Sequence, residues 1–138
     1  MSHFGFANGA SRHTCNLASV AWVIHYPSRQ FLVLRGVCIG PNLNNVAKYT
    51  AVVNLLSEEI SLVVYLLVLY LDSQLVISQL NNTYHVRYPF LHLLFLRVHF
   101  LQHSFHYVTF IHIPHSENSY ADSLANQAID CHINHSIH

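Results

Sequence analysis

Tyr70-Leu71-Asp72-Ser73-Gln74-Leu75-Val76 decides how this chain is read. An apolar run stops at an acid, and a short amphipathic segment begins directly behind it, the pattern of a strand passing into a helix. A carboxylate at the carboxyl end of a strand sits where open α/β sheets place their chemistry. Asp72 is therefore the first candidate functional residue. The competing reading is that it caps the helix behind it, a common duty for Asp before an apolar helical segment.

Upstream of this stretch, the apolar run from Ile60 to Leu71 is too short for a membrane span of about 20 residues. It reads instead as a buried strand over Val63 to Leu71, and no membrane partner is expected. The chain before it predicts strands at His3 to Asn8, Leu17 to Tyr26 and Gln30 to Ile39, joined by short turns into an antiparallel meander. Gly40-Pro41 breaks the strands, and Asn44 or Asn45 caps a helix running to about Ile60. Val46, Tyr49, Val52, Val53, Leu56 and Ile60 give that helix one apolar face. A right-handed crossover then lays the Asp72 strand parallel to the first strand, with Asn8 and Asp72 as neighbours. Downstream, Ser73 to Leu80 and Tyr88 to Gln102 read as helices and Phe105 to Ile113 as a fifth strand. Pro114 to Asn118 reads as a loop, and Ser119 to Cys131 as a helix turning Asp122 inward.

The expected fold class is α/β, with three antiparallel strands followed by two parallel ones and helices on both faces. The 138 residues predict a single domain with its core over about residues 4–130 and a histidine-rich tail at 131–138. The chain is 52% hydrophobic and only 9% charged, with six Lys and Arg against six Asp and Glu. Zero formal charge gives no basic excess to attract nucleic acid and little repulsion to keep molecules apart. Thirteen histidines turn the chain cationic in acid. Cys15, Cys38 and Cys131 lack pair spacing, which argues against a disulfide framework. With no signal-peptide pattern at the start, an intracellular setting is expected, nuclear and cytoplasmic both remaining open.

Four stretches in order, Asn8-Gly9-Ala10-Ser11, Asn44-Asn45-Val46-Ala47-Lys48-Tyr49, Asp72-Ser73-Gln74-Leu75-Val76, and His112 to Ala125 with its Pro114, Asn118 and Asp122, resemble the ribonuclease H type 1 family. The likeness is particularly to the plant branch close to retroelement reverse transcriptases, whose patterns are D-G-A-S, N-N-x-A-E-Y, D-S-Q-L-V and H-x-P-R-x-x-N-x-x-A-D-x-L-A. The resemblance implies a ribonuclease H-like fold and cleavage of the RNA strand of RNA–DNA hybrids by two Mg²⁺ or Mn²⁺ ions held by four carboxylates. Here Asp72 and Asp122 match two of the four, but Asn8 stands for the first Asp and Lys48 for the Glu.

Two divalent ions about 3.5–4 Å apart need a dense cluster of anions. Lys48 removes a ligand and adds a cation able to sit beside Asp72. The resemblance further implies that His112, ten residues before Asp122, matches a proton-moving histidine of bacterial members. The alternative, implied by plant relatives with the same H-x-P pattern, is a histidine that only packs or hydrogen-bonds at a strand end. His115 replaces the usual Arg. Asn44, Asn45 and Gln74 match positions that reach the minor groove of a hybrid, and Ser11 a phosphate contact. With so few cations, such binding is expected to be weak. Asp to Asn, Glu to Lys and Arg to His are each one G-to-A change in a codon, as in a retroelement fragment released from selection for catalysis.

The tail residues Cys131, His132, His135 and His138 are read either as a zinc-binding end or as a solvated one. Three functions remain: a catalytically defective ribonuclease H-like module that binds nucleic acid weakly, a residual metal-dependent hybrid ribonuclease using Asp72, Asp122 and His112, and an interaction protein engaging a partner through apolar surface.

Overall fold

Alternation of residues with a period of two sets the first strand, β1 (Ser2–Arg12), in which His3, Gly5 and Ala7 face one side of the sheet and Phe4 and Phe6 the other. The computed structural model describes residues 2–60 and 66–137, with side chains described to residue 134. β1 pairs antiparallel with β2 (Leu17–His25), which pairs antiparallel with β3 (Phe31–Gly40). Helix α1 (Asn44–Ile60) crosses over and delivers β4 (Leu66–Leu71) parallel to β1. Two helices, α2 (Gln74–Leu80) and α3 (Pro89–Gln102), precede β5 (Tyr107–His112), which is parallel to β4. A 3-10 turn (His115–Asn118) then leads into α4 (Ser119–Ile137). The strand order β3-β2-β1-β4-β5 is the five-stranded mixed sheet expected from the sequence.

The two faces are covered differently. Tyr49, Leu55 and Leu56 of α1 are fully buried against Ile24, Leu67, Leu69 and Leu71 of the sheet, and Val98 and Leu101 of α3 join that core. On the other face, α4 lies on small residues. Ala121 and Ala125 meet Ala21 and Val23 in a second, smaller core, and the Ser19 hydroxyl donates to Ala125 O at 2.6 Å. Gly36 lets α4 come so close that an added Cβ would lie 2.6 Å from Leu124 O.

Four expectations are corrected. β1 does not stop at Asn8. Gly9 to Arg12 continue pairing with Val20 to Leu17, and the turn shrinks to four residues ending in Asn16 at φ 51°. The apolar face of α1 is phased so that Leu55, Leu56 and Glu59 point inward, while Ile60 is exposed. Pro114 to Asn118 is a 3-10 turn rather than an irregular loop. The last helix runs past Cys131 to Ile137. Residues 63–65 of the expected fourth strand, the His135 side chain and His138 lie outside the described residues. Among the described residues, no helix is long and apolar enough to cross a membrane.

Candidate functional site

Parallel pairing of Phe6 with Tyr70, continued two residues along each chain, brings Asn8 of β1 beside Asp72, which directly follows β4, at one mouth of the sheet. α1 starts directly over that mouth. Gly9 makes this possible, since a Cβ there would lie 2.3 Å from both Ala47 C and Lys48 N. The close approach carries the Lys48 ammonium to 3.5 Å from Asp72 Oδ1. Asp72 itself does not cap α2. Ser73 does, its Oγ accepting from Val76 N at 3.3 Å, which leaves Asp72 free to turn inward until its side chain is 3% exposed.

The far wall comes from the segment after β5. Ile113 N donates to Leu71 O at 2.8 Å, and Asn118 Nδ2 donates to Ala7 O at 3.1 Å, so the 3-10 turn is laced to β4 and β1. This places His115 between the two acids. Its Nδ1 lies 2.7 Å from Asp72 Oδ2 and its Nε2 3.7 Å from Asp122 Oδ2. Asp122, in the first turn of α4, also accepts from Asn8 Nδ2 at 3.2 Å. The oxygens of Asp72 thus face one cationic side chain and one imidazole, and the formal charge over Asn8, Lys48, Asp72 and Asp122 is a single negative unit.

Asn8, Lys48, Asp72 and Asp122 are therefore brought into one constellation. His112 ends β5 paired with Leu71 and is exposed. Among the described residues it is His115 that reaches both carboxylates. Sequence reasoning had marked His115 only as a missing Arg. The available signal was its position just behind Pro114, where a tight turn folds the chain back over the sheet mouth. Asn44 and Asn45 open α1, exposed and half-buried respectively, and Gln74 opens α2, exposed, its Nε2 donating to Ser78 Oγ at 3.1 Å. Ser11 is half-buried opposite Ala18, away from that cluster along β1. Its neighbour Arg12 is engaged by Asp130 at 2.7 Å and Asn126 at 3.1 Å.

Known proteins share this fold. A family profile described as Reverse transcriptase-like matches residues 6–128. The crystal structure of RNase H1 from the archaeon Halobacterium salinarum superposes with a TM-score of 0.90 at 31% identity, covering 94% of this chain and 98% of that one. An RNase H1 isolated from compost, crystallised in complex with an RNA/DNA hybrid, superposes with a TM-score of 0.84 at 27% identity over 95% of this chain and 99% of that one. A bifunctional protein of Mycobacterium tuberculosis is 29% identical over 127 residues, 90% of this chain but 34% of its own length. The chain thus spans about a third of that curated relative. With the motifs in order along a ribonuclease H-like sheet, the chain belongs to the reverse transcriptase-like family.

Proposed function

We propose that the chain is a ribonuclease H-like module of retroelement origin, from the plant branch of the family, that binds RNA–DNA hybrids or other nucleic acid weakly and has lost hybrid cleavage. The observation that carries this reading is Asp72, with Lys48 Nζ at 3.5 Å from one oxygen and His115 Nδ1 at 2.7 Å from the other. A pair of divalent ions needs several carboxylate oxygens turned toward it. Here Asn8 turns an amide N–H toward Asp122, Lys48 contributes a positive charge, and Asp72 is already engaged on both sides. This donor set does not fit two Mg²⁺ or Mn²⁺ ions, and no hydrolytic step through them is derived.

Weak binding follows from the remaining surface. Asn44, Asn45 and Gln74 offer amides at the starts of two helices, suited to 2′-hydroxyls and base edges. Cations are scarce, and several are engaged within the chain: Arg12 by Asp130, Arg35 by Glu58 and Lys48 by Asp72. A second reading, residual cleavage with one metal through Asp72 and Asp122, draws support from the two acids lying close enough to share His115. A protein partner is the third reading. Leu93, Leu96 and Phe100 leave one side of α3 apolar and exposed.

The test is a hybrid-cleavage assay with Mg²⁺ or Mn²⁺ on the natural chain and on the double variant Asn8→Asp with Lys48→Glu. The expected result is no cleavage by the natural chain and measurable cleavage by the variant. Cleavage by the natural chain overturns the reading. A variant that binds hybrid but stays inert overturns the claim that only the charge of the centre is at fault.

A further inference from the structure

The aromatic residues of β1, β2 and β4 line a groove that the site above does not use. α4 leaves part of its face of the sheet uncovered, and there a groove of about 610 Å³ opens, within the ~300–1,000 Å³ range of small-molecule sites. Its floor is a row of rings in near-parallel planes. Phe6 lies 4.9 Å from Tyr70 at 25° and 5.6 Å from His25 at 26°, and Phe4 stacks in the same row, 5.5 Å from His25 at 21°. Phe31 and Tyr120, in edge contact at 5.1 Å, stand exposed along one side.

Three polar groups give the groove a direction. His25 Nδ1 lies 2.6 Å from Tyr26 O, a carbonyl that only accepts, so Nδ1 carries a proton and donates. At the rim, Arg29 is held at φ 69° in the β2–β3 turn and has no ion pair among the described residues, whereas Glu117 puts a carboxylate elsewhere in the wall.

We propose that this groove binds a nucleotide, the base stacking on the aromatic row and the phosphate meeting Arg29. Flat rings extend such a row by offset stacking, the contact by which single-strand binding proteins hold bases. Glu117 repels phosphate toward the Arg29 end. The groove's lining does not include Asn8, Lys48, Asp72, His115 or Asp122.

Calorimetric titration with adenosine 5′-monophosphate and with adenosine tests the proposal, using Tyr120→Ala and Arg29→Gly, both at exposed positions and the second compatible with the positive φ. Saturable binding of both ligands is expected. Tyr120→Ala weakens both about tenfold, and Arg29→Gly weakens the monophosphate about tenfold while leaving adenosine unchanged. Absence of saturable binding, or binding untouched by Tyr120→Ala in a variant with unaltered circular dichroism, overturns it. So does monophosphate binding abolished by Lys48→Glu but indifferent to Tyr120→Ala, which puts the ligand at the sheet mouth.

Discussion

Helix α1 carries an acid–base pair toward each end, and the two are built on opposite terms. Near its start, Lys48 meets Asp72 at the open mouth of the sheet, where a second group, His115, also serves the acid. Near its end, Glu59 meets His3 inside the core, with His3 Nδ1 at 3.0 and 3.1 Å from the two carboxylate oxygens and side-chain exposures of 1% and 0%. The first pair has alternatives and water nearby. Among the described residues the second has neither, and His3 Nε2 is buried without a partner there. Position relative to solvent, more than the chemistry of the partners, decides what each pair is worth.

The largest expected effect comes from the inner pair. His3→Leu leaves Glu59 buried without its partner, and a loss of about 3–5 kcal/mol in urea denaturation is expected. The double variant His3→Leu with Glu59→Met removes both polar groups and recovers most of that loss. A single variant costing less than about 1 kcal/mol breaks the contrast between the two ends of the helix.

pH sharpens the same contrast. Burial raises the Glu59 carboxyl above its usual 4.5, the hydrogen bond and charge of His3 oppose the rise, and Glu58 adds to it. A carboxyl raised on folding binds its proton more tightly in the folded chain than in the unfolded one. Its contribution to stability is therefore fully present below pH 4.5 and declines as pH rises through the elevated folded value. Glu59→Gln removes that decline. The difference between natural and variant stability, measured from acid toward neutral pH, should fall; a flat or rising difference contradicts the assignment.

Much of this arrangement was legible in the sequence, and the exceptions have physical reasons. The meander and the crossover follow from period-two alternation, an unbroken apolar strand and Gly40-Pro41, and they put Asn8 beside Asp72. The inner pair was not legible. The expected seam of α1 ran on to Ile60, and a small error of phase over a 17-residue helix exchanges Ile60 for Glu59. His115 was also missed, because the path that returns it over Asp72 depends on a 3-10 turn held by Asn118, whose bond to Ala7 spans 111 positions. The family likeness located acids and their replacements; it did not reveal which side chains had moved in between them.

The outer pair should yield the smallest change in stability. Lys48→Met takes the ammonium away from Asp72, whose side chain is only 3% exposed, and an unpaired acid so placed would ordinarily be costly. Here His115 Nδ1 remains 2.7 Å from the other oxygen, and the methionine stem replaces the aliphatic part of the lysine. A loss within about 1 kcal/mol is expected in urea denaturation, the range of ion pairs at a solvent boundary. In a His115→Ala background the same substitution strips Asp72 of both partners, and the two losses together should exceed the sum of the single ones. Simple additivity in that cycle means that Lys48 and His115 do not compensate for one another, and the occupied centre inferred above loses its physical basis.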